Sequence, residues 1–315
     1  MYFKVGKKNF NLASSPLILG ILNLTPDSFY DGNKYKTKDS ILKRVDQIIK
    51  EGADILDIGG ESTRPKSKRI SVKTEKERIL NNIILIKKNF DILISVDTMK
   101  SQIADICLNE GADIINDVTS YQFDEKMPYI IAKHKGAVIL NHTSDLPNKM
   151  QLKTNYKNLI YDIKKHLSNK AKLSAKLGIN IKSIAIDPGI GFGKTTIQNL
   201  KLIKNAKEFK KLKYPLMYGV SNKAFLGEIL NIKNPKDRLN ASVIAGYACI
   251  SNGANLLRVH NIKETKEMIK IWRNLKGLGA DLGGGIGLLS SVIAKKKDIK
   301  KIYCVEVVKN AVTKC

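Results

Sequence analysis

The stretch EGADILDIGG, residues 51–60, decides how the whole chain reads. Upstream of it, Ile41, Val45, Ile48 and Ile49 recur at helical spacing over residues 40–50. Gly52 then stops that helix in the left-handed conformation glycine takes most readily, Ala53 packs, and an apolar run opens at residue 54. The run ends at Ile58, and Glu61 lies just past it. The same joint returns as EGADIIND (110–117) and as NGANLLRV (252–259). Counting outward, apolar runs occupy residues 17–22, 54–58, 92–96, 113–115, 137–140, 183–186, 215–220 and 255–259, with helix-like segments between them. Eight such units in about 260 residues are the count and length of an α/β protein of the (β/α)8 barrel class. In that class polar groups at the carboxyl ends of the strands face one shared pocket. The ends here are Asn23, Glu61, Asp97, Asn116 with Asp117, Asn141 with His142, Asp187, Ser221 with Lys223, and Arg258 with His260.

Bulk properties narrow the classes. At 315 residues and 43% hydrophobic content the chain holds one barrel plus a modest extra. No apolar run approaches the roughly 20 residues that span a bilayer, and the opening MYFKVGKKNF has no secretory core, so a cytoplasmic protein with no membrane partner is expected. Cys107, Cys249, Cys304 and Cys315 are scattered without metal-ligand spacing and read as reduced thiols. The net charge of +26 raises the question of nucleic acid. Only seven of the 55 basic residues are Arg, and the lysines are dispersed through helix-like segments. That pattern is a solvated surface rather than a nucleic-acid site, and it leaves a positive field that attracts anionic small molecules.

Residues 1–16 alternate like a hairpin around Gly6, Lys7 and Lys8, with Phe3, Val5, Phe10 and Leu12 suited to plug the barrel floor. Helical spacing predicts further helices over residues 74–88, 101–109, 156–177, 197–209, 235–252 and 263–275. Three loops after strands, 23–38, 59–73 and 142–155, exceed what connection requires, and long loops on that face carry function.

The strand ends carry the chemistry. Asn23 can ligate a metal or meet a phosphate oxygen, and Phe29 and Asp31 ride on the loop behind it. Thr63 and Arg64 in GGESTRP can hold a carboxylate or phosphate, guanidinium offering a bidentate fork. Asp97, Asn116 and Asp187 together suit a heterocycle with an N–C–NH2 edge; divalent-metal ligation and plain helix capping are the other uses of the same residues. DPGIGFGK (187–194) lacks Walker spacing, so its glycines more naturally admit a flat ligand beside Phe192. Ser221, Lys223, Arg258 and His260 complete an anion pocket next to Asn23, because the eighth strand closes on the first.

The motifs LGILNLTPDSFYDG, DILDIGGESTRP, ISVDT, IINDV, DPGIGFGK, GVSNKAFLG and LLRVHNI, in this order over residues 17 to about 273, resemble the dihydropteroate synthases, pterin-binding enzymes of folate biosynthesis. The resemblance implies condensation of 6-hydroxymethyl-7,8-dihydropterin diphosphate with p-aminobenzoate, pyrophosphate leaving. It implies that Asp97, Asn116, Asp187 and Lys223 bind the pterin. Asn23 would bind magnesium (Mg2+) and the diphosphate, with Arg258 and His260 on the diphosphate. Phe29, Asp31, Thr63 and Arg64 would fold over the site, and Phe192 with the Lys223 stem would wall the p-aminobenzoate pocket. Asn23, Asp97, Lys223, Arg258 and His260 thus stand as the catalytic candidates, with Ser221 on the substrate. A homodimer face near residues 235–252 and 263–275 is also expected. The alternative is a corrinoid-linked pterin-binding methyltransferase, which shares barrel and pterin pocket but needs no diphosphate site.

Three positions depart from the family pattern: Asn141 stands where an apolar Met is usual, and Asn222 and Ala224 replace Arg and Ser beside Lys223. Residues 276–315 lie beyond the barrel, expected over 17–275. Their ADLGGGIG turn, apolar helix and IYCVEV strand ending at Glu306 resemble the opening of an S-adenosylmethionine-dependent methyltransferase. One β-α-β unit buries too little surface to stand alone, so a non-functional extension is expected.

Overall fold

The computed structural model describes residues 1–25, 37–63, 67–278, 281–282 and 304–305. Strands β1 (Tyr2–Val5) and β2 (Lys8–Asn11) pair antiparallel, with Val5 opposite Lys8, so the turn is Gly6-Lys7 and Lys8 belongs to the strand. Eight parallel strands follow: β3 (Leu17–Asn23), β4 (Ile55–Gly59), β5 (Leu93–Asp97), β6 (Ile114–Asp117), β7 (Ala137–Asn141), β8 (Ile184–Asp187), β9 (Met217–Tyr218) and β10 (Leu256–Val259). They pair in the order β8-β7-β6-β5-β4-β3-β10-β9, and a parallel bridge from Ile186 to Leu216 joins the two ends of the row. The expected (β/α)8 barrel and its hairpin are therefore present.

Helices fill every crossover: α1 (Lys38–Lys50), α2 (Val72–Asn89), α3 (Ser101–Asn109), α4 (Met127–Lys133), α5 (Leu159–Lys176), α6 (Thr196–Lys204), α7 (Ala206–Lys210), α8 (Ala224–Leu230) and α9 (Leu239–Ser251), with α10 (Ile262–Leu278) after β10. The helix expected over 197–209 breaks at Asn205 into α6 and α7, and residues 235–238 form a 3-10 turn before α9 starts. The run 215–220 shrinks to a two-residue strand. None of the described helices is long and apolar enough to cross a membrane.

The recurring joint has a complete physical account. Gly52, Gly111 and Gly253 sit at φ 101°, 96° and 109°. At each, the next residue's amide reaches back five residues: Ala53 to the Ile48 carbonyl, Ala112 to Cys107 and Ala254 to Cys249, at 3.2, 2.9 and 3.0 Å. This is the Schellman closure that satisfies a helix's last carbonyls. The fourth residue does what its spacing alone does not reveal. Asp54 accepts the Ile18 amide at 2.8 Å, Asp113 accepts that of Ile94 at 2.9 Å, and Asn255 accepts that of Leu216 at 3.2 Å. Each joint thus ties the new strand to the start of its neighbour and fixes the parallel register.

The hairpin seals the floor. Phe3, Val5 and Leu12 pack with the first residues of the strands, among them Leu17, Ile55, Leu93, Ile114 and Leu256, in one apolar cluster. By packing, the chain divides into residues Met1–Lys266 and Glu267–Cys315, inside α10 rather than at 276. The second unit contains the end of α10 and a parallel pair, β11 (Asp281–Leu282) with β12 (Cys304–Val305). The glycine loop and Glu306 of the expected cofactor half-site lie outside the described residues.

Candidate active site

A cavity of about 800 Å³ opens at the carboxyl ends of the strands. Asn23, Thr63, Asp97, Phe192, Ser221, Lys223, Arg258 and His260 all line it. Strand register explains the meeting: Asp97 lies beside Gly59 on β4 and Asn116 on β6, while Arg258 stands on β10 next to β3. Phe29, Asp31 and Arg64 lie outside the described residues.

The centre is a buried ionic triad. Arg258 Nε donates to Asp57 Oδ2 at 2.6 Å, and its Nη2 donates to Asp97 Oδ2 at 2.8 Å. Asp57 is fully buried on β4 and also accepts the Ser95 hydroxyl at 2.6 Å. Burial pushes the Asp97 carboxyl up to about 7, with Asp57 adding to the rise and Arg258 opposing it. Burial pulls the Arg258 guanidinium down, but Asp57 and Asp97 outweigh it and hold it above its ordinary value. Two carboxylates share one guanidinium, which leaves the triad net negative when both are ionised.

Two acceptor atoms of this region lack partners. Asp97 Oδ1 and Asn116 Oδ1 are buried with no hydrogen-bond partner among the described residues. An unmet buried acceptor costs about 1–3 kcal/mol, so two of them on neighbouring strand ends mark a place for a ligand's donors. Neither residue caps a helix, and neither does Asp187, whose Oδ1 accepts the Gly189 amide at 2.7 Å. Burial pushes the Asp187 carboxyl up to about 6, against Gly189, Lys223, Lys194 and Arg258. Asn116 and Asp187 are buried at 2% and 4% exposure, below the surface of the open cavity rather than on its wall. Asp117, next to Asn116, is occupied with a turn, accepting the amides of Thr119 and Tyr121.

Also lining the cavity, Ser221 Oγ lies 3.2 Å from His260 Nδ1 and accepts the His260 amide. Lys223 Nζ stands 4.5 Å from the Phe192 ring centroid, and a Cβ at Gly191 would meet the Lys223 stem at 3.3 Å. The glycine there admits the lysine, as a glycine-rich loop facing a flat ligand requires. Ala224 lines the cavity at the start of α8, and Asn222 is left-handed at φ 58° with its backbone amide bonded to Ser242 Oγ. Asn141 Nδ2 donates to the Val118 carbonyl at 2.8 Å, so it links the ends of β6 and β7.

Several participants have partners that no motif reveals. Glu61 Oε1 accepts from Arg69 Nε and the Ile70 amide at 2.8 and 3.1 Å, stapling the two stems of the second loop together. Lys100 holds Glu61 Oε2 at 2.6 Å and also bonds Glu75. Asp57 does have a visible signal, a charge in the middle of the apolar run ILDIG. Lys194 and Arg238 reach the cavity from positions whose spacing says nothing. The described residues contain no group of three His, Cys, Asp or Glu able to hold a metal.

Residues 19–260 match the family of pterin binding enzymes. A dihydropteroate synthase of Clostridium beijerinckii is 38% identical over 269 residues, 85% of this chain and 97% of the relative. The Yersinia pestis dihydropteroate synthase, solved in complex with a sulfonamide drug, superposes with a TM-score of 0.84 at 33% identity, covering 88% of this chain and 99% of that one. The Thermus thermophilus dihydropteroate synthase in complex with 4-aminobenzoate gives 0.78 at 32% identity over 87% and 100%. With a barrel of this order, unmet acceptors at the third and fourth strand ends and a match over most of its length, the chain belongs to the pterin-binding enzymes and, among them, to the dihydropteroate synthase family.

Proposed function

We propose that the chain joins 6-hydroxymethyl-7,8-dihydropterin diphosphate to p-aminobenzoate, giving dihydropteroate and pyrophosphate. The observation that carries this reading is the pair of unmet acceptors on Asp97 and Asn116 in a cavity that Lys223, Arg258 and His260 also line. The amino and ring N–H groups of a dihydropterin are donors, and Asp97, Asn116 and Asp187 offer acceptors for them. The diphosphate is an anion, and Arg258 retains three N–H donors beyond the two held by Asp57 and Asp97. The 4-aminobenzoate complex of the Thermus relative favours an arylamine as the second substrate. Phe192 and the Lys223 stem form the flat wall it would lie on.

The triad's excess negative charge suits the chemistry. As the bond from methylene carbon to the diphosphate oxygen breaks, its electron pair leaves on pyrophosphate and positive charge grows on the pterin methylene. Asp57 and Asp97 are held in place by Arg258 within the same pocket, where preorganised charge in a dry site is most effective. The arylamine is neutral at physiological pH and attacks the carbon directly. The new C–N bond leaves an ammonium whose proton passes to solvent.

Asn23, half-buried at the cavity wall, is a fitting single ligand for a magnesium ion that keeps its waters and the substrate's phosphate oxygens. An ion held there would supply positive charge beside the leaving pyrophosphate. The test is pyrophosphate release from the pterin diphosphate. Release is expected only with p-aminobenzoate and magnesium together; equal rates in excess chelator would remove the metal role, and equal rates without the arylamine would remove the synthase reading. The corrinoid-linked alternative has no comparable support, since the relatives named above are synthases.

A homodimer through α9 and a cytoplasmic location belong to the same reading. Ile244 and Tyr247 project from α9 at 68% and 41% exposure, whereas Ile250 faces the core. Light scattering at micromolar concentration should give twice the chain mass.

A further inference from the structure

Lys194 ends the glycine-rich loop after β8 and is 4% exposed. Its Nζ donates to the Phe192 carbonyl at 2.8 Å and to the His142 carbonyl at 3.3 Å, and lies 3.1 Å from His142 Nδ1. His142 opens the loop after β7. One buried amine therefore joins two neighbouring loops and holds the peptide of the residue whose ring lines the cavity. The loops fit closely enough that side chains are excluded between them. A Cβ at Gly189 would lie 1.9 Å from the His142 carbonyl oxygen, and one at Gly193 would lie 1.7 Å from Ser144 Oγ. Both glycines are left-handed, at φ 75° and 68°. Tyr156 and Gln151 add outer ties, to the carbonyls of Gly193 and Gly191 at 3.1 and 2.8 Å. Burial pulls the Lys194 amine down to about 7, with Asp187 opposing and Lys223 adding.

We propose that Lys194 is a positioning residue for the arylamine substrate: by clasping the β7 loop to the β8 loop it fixes Phe192 against Lys223 and sets the width of the slot the aromatic ring enters. The proposal rests on Phe192 being the wall of that slot. Two of the three pterin acceptors, Asp97 and Asn116, stand on other strands, β5 and β6, so the clasp bears on the pterin floor only through Asp187 at the end of β8. A small displacement of a positioned reactant costs rate and affinity out of proportion to its size.

The experiment is a double-mutant cycle with Lys194→Met and Phe192→Ala, assayed at pH 8, where Asp187 is ionised. Lys194→Met should raise KM for p-aminobenzoate about tenfold and lower kcat as well, with pterin Kd within about twofold. In the Phe192→Ala background the same substitution should add less than about twofold. An unchanged KM for p-aminobenzoate, or an equal rise in both backgrounds, overturns the clasp. Phe192→Ala alone leaving that KM unchanged instead overturns the reading of Phe192 as the wall. If circular dichroism shows Lys194→Met unfolded, His142→Phe removes one of the three partners. A rise of about threefold then supports the clasp, and no rise overturns it.

Discussion

The two ends of the barrel are built on opposite principles. At the floor, the hairpin residues Phe3, Val5 and Leu12 join the strand starts in one apolar cluster. At the mouth, Asp57, Asp97, Asp187 and Lys194 lie buried and Arg258 half-buried, and two acceptors there have no partner among the described residues. Apolar burial stabilises the fold at about 25 cal/mol per Å². Buried charges rarely do so, because desolvation takes back what pairing gives. The barrel therefore separates holding together from acting, as its class does generally. A substitution at either end should reveal which task that end performs.

The largest effect is expected at the floor. Phe3→Ala removes a fully buried ring from the seal and should lower stability by about 3–5 kcal/mol. The KM values of the folded fraction should not move, because no floor residue touches the cavity. Urea unfolding gives the first quantity and steady-state kinetics the second. A KM that rises with the loss of stability would show that the two ends are coupled.

The mouth should behave in reverse. Asp187→Ala should weaken pterin binding by about 2–4 kcal/mol, the loss of a charge-assisted contact in a dry site. Its effect on stability should stay below about 1 kcal/mol, since removing a buried carboxylate also removes its desolvation cost. Calorimetry with a pterin lacking the diphosphate would measure the first quantity. The wild-type protein offers a milder version of the same test. The carboxylate is the accepting form, and burial raises its pKa to about 6, so affinity should fall as pH drops through that value. One unit lower, at pH 5, protonation of Asp187 alone should cost roughly tenfold relative to pH 8, and Asp97, whose carboxyl lies at about 7, adds its own loss, so the Asp187 share is the part that Asp187→Ala abolishes. Affinity flat across this range, or Asp187→Ala binding pterin as well as wild type, would reduce Asp187 to the organiser of the turn at Gly189.

How much of this is readable in the chain depends on distance along it. The glycine joints, the eight runs and the polar strand ends are local patterns, and each takes its expected place in the barrel. So does the apolar alternation of the hairpin. The short helices α4 and α8 give no such signal, because seven residues make barely two turns and neither has a side-chain cap to announce it. The pairs that organise the mouth are invisible for a different reason. Arg258 meets Asp57 across 201 residues, Lys100 meets Glu61 across 39 and Lys194 meets His142 across 52. No spacing rule links such partners; only the closing of the barrel does. Spacing and resemblance therefore give Arg258 the role of a diphosphate clamp, and its other role, tying Asp97 to Asp57, emerges only in three dimensions.

The smallest effect is expected from a region belonging to neither end. Every residue proposed for chemistry lies between Asn23 and His260, and the family match stops at residue 260. The last barrel strand ends at Val259, and α10 follows it from Ile262 to Leu278. Removing residues 279–315 leaves strands β1 to β10 and helices α1 to α10 whole. Pterin affinity, kcat and both KM values should then stay within about twofold, a change worth less than about 0.5 kcal/mol. The glycine loop and Glu306 fall inside the deleted stretch, so the same experiment asks whether they contribute to catalysis. If the shortened protein keeps its circular dichroism but loses turnover, residues after 278 must reach the mouth of the barrel, and the separation of fold and function would extend to a third region.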